Sequence, residues 1–121
     1  MLGLSDRSAI RRLFGLLLDG NNAGLLEAVR EQYTLGVEPV SLMRGLLDLV
    51  HAVTVVKVGR ADNPVFGADE RNAIADWAQN LGFPSLHRLW QLLLKGHDEV
   101  VRAATPIEAA EMALLRVLHA A

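Results

Sequence analysis

Apolar residues return every three or four positions through most of this chain, which is the period of helices packed onto a common core. The first stretch carries Ile10, Leu13, Phe14, Leu17 and Leu18, with Ser5 and Asp6 offering capping oxygens before it and Gly20 stopping it. Arg7, Arg11 and Arg12 fall on its other side. Asn21 or Asn22 caps a second helix with the stripe Leu25, Leu26, Val29 and Tyr33, which Gly36 ends. About two residues separate these helices, so they are predicted to lie antiparallel.

Glu38-Pro39 opens a third helix, with proline at the first position, where its missing N–H has no consequence. Two stripes run along it: Met43, Leu46 or Leu47, Val50 and Thr54 on one, and Leu42, Leu46, Leu49, Val53 and Val56 on the other. A helix apolar on two sides is central. The β-branched run Val53-Thr-Val-Val56 continues the helical spacing from Val40 without a turn, so it is read as helix. The main break is Gly59 to Gly67, where Val65 and Phe66 are expected to pin the turn down. A fourth helix follows from about Ala68, with Asp69 and Glu70 in its first turn, Ile74, Trp77, Ala78 and Leu81 as its stripe, and Gly82 as its stop. Pro84-Ser85 starts a fifth with Leu86, Leu89, Trp90, Leu93, Val100 and Val101. Thr105-Pro106 starts the last, with Ile107, Ala110, Ala113, Leu114, Val117 and Leu118. The predicted fold is all-α, an antiparallel bundle of five to six helices in one domain.

Composition agrees with that class. Hydrophobic residues make up 51% of the 121 and aromatics only 5%, so the apolar content is mostly leucine, valine and alanine, as suits helix packing. A mean hydropathy of +0.24 is high for a small domain, which calls for helices buried on several sides or for apolar surface that meets a partner. The net charge of −2 gives no electrostatic footprint for nucleic acid. Cysteine is absent, which removes disulfides and thiolate chemistry. No secretory signal and no apolar run of roughly 20 residues is apparent. The expectation is a cytoplasmic domain that touches neither nucleic acid nor membrane.

Candidate chemistry is sparse. A di-iron bundle needs two Glu-x-x-His pairs, and Asp48-Leu-Val-His51 offers one pair with the shorter acid; His51 is read as structural. His87, His97 and His119 have no partner spacing. No glycine-rich loop ends in Lys-Ser or Lys-Thr, so neither nucleotide nor other cofactor is expected. Arg11-Arg12 is read as a solvated face. Gly15, Gly45 and Gly96 each weaken a helix by about 1 kcal/mol relative to alanine. They are either tolerated or places where another helix comes close; at Gly96 a local break within Lys95-Gly-His-Asp98 is preferred. Trp77 and Trp90 are read as core, with an interface anchor as the alternative.

Four segments point to a family: Met1-Leu-Gly-Leu-Ser-Asp-Arg7, Leu47-Asp-Leu-Val-His-Ala-Val-Thr-Val-Val-Lys57, Trp90-Gln-Leu-Leu-Leu-Lys-Gly96 and Pro106-Ile-Glu-Ala-Ala-Glu-Met-Ala-Leu-Leu-Arg-Val-Leu118. Together, and in this order, they resemble the third domain of the gamma/tau subunit of bacterial DNA polymerase III. The resemblance implies a collar domain, residues 1–121, cut from a longer parent whose ATPase and zinc modules lie elsewhere. Its role would be assembly, not catalysis. Its partners would be other gamma/tau copies and the delta and delta-prime subunits of the clamp loader, joined in a ring, with weak self-association in isolation. Leu92, Leu94, Met112 and Leu115 lie outside the main stripes and are candidate interface residues, together with Glu111 and Arg116, whose charges sit among apolar neighbours. Glu111 and Arg116 are five apart, a poor pairing distance, so each is expected to reach a different partner. The rival reading is a stand-alone helical ligand-binding or regulatory bundle, which needs an inward polar group; Asp48/His51 is its candidate.

Overall fold

In the computed structural model, which describes residues 7–59 and 66–120, the chain forms six helices among the described residues, with no strand. They are α1 (Arg7–Asp19), α2 (Asn22–Thr34), α3 (Pro39–Lys57), α4 (Ala68–Asn80), α5 (Phe83–Arg102) and α6 (Pro106–Ala120). Ser5, Asp6 and Val65 lie outside the described residues.

Backbone hydrogen bonding explains the sharp stops after α1 and α2. The Gly20 N–H donates to the Leu17 carbonyl and the Asn21 N–H to that of Leu16; Gly36 and Val37 repeat the pattern with Tyr33 and Gln32. That pairing needs a left-handed residue at the glycine, and φ is +71° at Gly20 and +95° at Gly36. The Asn21 side chain caps α2 by accepting from the Gly24 N–H at 2.9 Å. Gly82 behaves differently from the expected stop. Its φ of −79° is ordinary, and it serves as the N-cap of α5, which begins one residue earlier than Pro84.

α3 is the axis of the fold, packed against α1, α4, α5 and α6. Both expected stripes are buried through Leu42, Met43, Leu46, Leu47, Leu49, Val50 and Val53, while Thr54 and Val56 at their C-terminal ends are half-buried. One expectation is corrected here. At 19 residues and a hydropathy of 1.4, α3 is long and apolar enough to cross a membrane by composition. Its apolarity has a simpler cause, since four helices cover it.

The remaining helices form two hairpins and a strut. α1 and α2 pack together, as do α5 and α6, and α6 also reaches α1, α2 and α3. α4 and α5 are joined by two residues yet barely touch; each lies instead on α3. Predicted core residues that end up outside it are Leu26, which is half-buried, and Tyr33, Trp90 and Val101, all exposed. Trp77 is half-buried and meets Phe14 edge-on, with ring centroids 4.8 Å apart.

Candidate interaction surface

α5 divides lengthwise into three sectors. Leu86, Leu89, Leu93, Gly96 and Val100 are buried against the bundle. At 100° per residue, Arg88, Lys95, Asp98, Glu99 and Arg102 form a charged sector on the opposite side. Between these two, Phe83, Trp90, Leu94 and Val101 remain 43%, 38%, 48% and 60% exposed. With His87 they fall within about 60° of one line along the helix. Four large apolar side chains in one row facing solvent are more than the scattered single exposures of an ordinary surface.

α5 stays continuous through Gly96, against the expected break. A Cβ at Gly96 would stand 2.8 Å from the Met43 Cε of α3 and 2.9 Å from the Ala113 Cβ of α6. The missing side chain lets three helices meet, which fixes the roll of α5 and therefore the direction its exposed row faces. Gly45 serves α1 in the same way, with Ile10 occupying the space, whereas Gly15 has nothing within 4 Å.

Beside the exposed row, a groove of about 200 Å³ runs between α3 and α5, lined by Val50, His51, Thr54, Leu86, His87 and Trp90. At the Phe83 end, Lys57 Nζ donates to the Ala78 carbonyl at 3.0 Å and lies 5.2 Å from the centroid of the Phe83 ring. That contact ties the ends of α3, α4 and α5 together.

The six candidate interface residues do not form one patch. Leu94 belongs to the exposed row on α5, whereas Leu92 sits in a separate groove with Leu18, Leu81 and Ala120. Met112 is 69% exposed on α6, and Leu115 is half-buried against the core. Glu111 receives two hydrogen bonds from Arg30 of α2, at 2.8 and 3.1 Å. Arg116 donates two to Glu99 of α5, at 3.1 and 2.7 Å. The two charges thus reach different partners, and both partners belong to the same chain. In each pair one group's acidity is moved by its partner. The hydrogen bond to Glu111 raises the Arg30 pKa further, and the Arg116 guanidinium holds the Glu99 carboxyl below its ordinary value.

Of Arg11-Arg12, read as a solvated face, Arg12 is exposed as expected, whereas Arg11 is half-buried beside an acid. Glu70 on α4 is buried, and its carboxylate meets Arg7 Nε at 3.1 Å and Arg11 Nη1 at 3.7 Å; Arg12 reaches Glu31 at 3.3 Å. Arg7 also lies over the half-buried Phe66 ring, 5.6 Å from its centroid. Arg7, Arg11, Phe66, Glu70 and Asp48 line a cavity of about 230 Å³ between α1, α3 and α4. The inward polar group is therefore Glu70, while Asp48 and His51 are both exposed. No grouping of three metal-ligating side chains occurs among the described residues. Sequence reasoning missed Glu70, whose partners are distant in the chain. Of the exposed row it named Leu94 for an interface and Trp90 only as an alternative, assigned Val101 to the core and passed over Phe83, although the four keep helical spacing beside the core stripe.

No curated protein matches the chain. Residues 1–121, its whole length, match the family model for DNA polymerase III subunits gamma and tau domain III.

Proposed function

We propose, from the premise that this chain belongs to the domain III family of the DNA polymerase III gamma and tau subunits, that it is the assembly domain of a clamp loader. It joins gamma/tau copies to one another and to the delta and delta-prime subunits, in the cytoplasm, and does no chemistry itself. ATP hydrolysis belongs to other domains of the parent subunit. The observation that supports this reading best is the uncovered apolar row on α5, which a bundle of this size had room to make polar and did not. A stand-alone ligand-binding bundle has less support. The carboxylate facing its cavity is already bound by two guanidinium groups.

The test is co-purification of the parent subunit with delta and delta-prime. Deleting residues 1–121 is expected to abolish assembly. Leu94→Asp with Met112→Asp, both at exposed positions, is expected to weaken it while the helical circular dichroism stays unchanged. Full assembly by the deleted subunit would overturn the proposal.

A further inference from the structure

The face of α3 turned toward α1 and α4 is recessed. Gly45, Asp48, Leu49 and Ala52 follow there at i, i+3, i+4 and i+7, so they share one side of the helix. Ile10 of α1 takes up the room beside Gly45. Ala52 is too short to fill the gap between the helices, and the cavity of about 230 Å³ remains. The interior of a small domain holds few voids larger than one water.

The walls of this cavity are of two kinds. Ile10, Leu49, Phe66 and Ile74 make an apolar lining, and Arg7 and Arg11 bring guanidinium groups to it, both drawn to Glu70. Two cations share one buried carboxylate, which leaves the cluster with a surplus positive charge. Among the described residues, Arg7 gives Glu70 only its Nε, at 3.1 Å. Arg11 Nη1, at 3.7 Å from the other oxygen, is beyond hydrogen-bond distance. A guanidinium carries several N–H donors in a planar fork that fits a carboxylate, so both side chains keep donors for a further acceptor.

We propose that this cavity binds a small monocarboxylate, its carboxylate on Arg7 and Arg11 and its hydrocarbon body between α1, α3 and α4. Size and charge set the class. An apolar cavity of about 150 Å³ accepts a benzene ring. The larger space here admits a ring together with its carboxylate. The surplus charge of the cluster matches a single negative charge, and the exposed Asp48 on the rim opposes a second one, which disfavours phosphate. Glu70 holds both guanidinium groups in place before anything binds, so less ordering remains on binding. The site is independent of the assembly reading, since it shares no residue with the exposed α5 row or the groove beside it.

The probe is benzoate, titrated into the isotope-labelled 121-residue chain and followed by backbone amide shifts. Saturable shifts at Ile10, Leu49, Ala52 and Ile74 are expected, with a Kd of about 1 mM, as suits so small a ligand. Benzyl alcohol has the ring without the charge, and inorganic phosphate has charge without a ring. Each should bind at least about tenfold more weakly than benzoate. Arg11→Gln should weaken benzoate about tenfold. Ala52→Leu, which fills the hollow and alters no charge, should abolish the shifts while the rest of the spectrum stays folded. If Arg11→Gln does not fold, Ala52→Leu and the uncharged probe decide. No saturable shift up to about 20 mM benzoate, equal binding of benzyl alcohol, shifts confined to the α5 row, or binding unaltered by Ala52→Leu would each overturn the site. Phosphate binding more tightly than benzoate would overturn the carboxylate class.

Discussion

Gly15 and Gly96 look alike in the sequence, and their surroundings make them opposites. Gly15→Ala adds a methyl group where nothing stands within 4 Å, so it should stabilise by about 0.5–1 kcal/mol through helix propensity. Gly96→Ala brings the same propensity gain but drives a methyl group into Ala113 Cβ, which cannot swing away, and into the end of Met43. Overpacking of this kind costs about 1–3 kcal/mol, so the net change should be a loss. Urea denaturation of the two variants checks the opposite signs; equal effects would mean that α5 is not held between α3 and α6. The sequence could not separate them, because the atoms that distinguish Gly96 lie 53 and 17 residues away along the chain. Glu70 was opaque for the same reason. In the sequence it is one more acid in a first turn, and only the fold brings Arg7 and Arg11 to it.

Helices were far more legible than single contacts. The start of α4 at Ala68, the opening of α3 at Pro39 and that of α6 at Pro106 all follow from local chemistry acting within a turn. All six residues named for the α6 stripe are buried. Legibility failed where a helix has two apolar sides of unequal fate: on α5, periodicity marks both Leu89 and Trp90 as candidates for burial, and only packing decides between them. α3 offers a sharp test of its central place. Val50→Asp puts an unpaired carboxylate in the core and should remove several kcal/mol of the roughly 5–15 that a domain has. His51→Asp, one residue on and exposed, should stay within about 0.5 kcal/mol. Thermal melts that fail to separate the two would displace α3 from the centre. The tie between α5 and α6 gives a pH signature. Arg116 lowers the Glu99 pKa from its ordinary 4.5, so the bond contributes in full above that value and is lost as the pH falls through the lowered one. Both side chains are more than a third exposed, so the effect should be under about 1 kcal/mol. Glu99→Gln should be slightly less stable than the parent at neutral pH and should converge with it in acid; a constant gap down to pH 3 would contradict the bond's role.

For the molecule as a whole, the all-α bundle was readable from period and punctuation, whereas its outward face was not. A partner-binding surface obeys the same spacing as a core, so period alone cannot tell them apart. The two tryptophans now have different stations in the same body. Trp77 is clasped edge-on by Phe14 where α1 meets α4, and Trp90 stands at the rim of the α3–α5 groove. They are therefore two lamps on separate circuits. In Trp90→Phe the remaining emission should follow unfolding and ignore protein concentration. In Trp77→Phe it should shift to the blue as concentration rises, well before any helix melts. A chain with both would then report cohesion within one copy and contact between copies in a single spectrum, without a dye or a label.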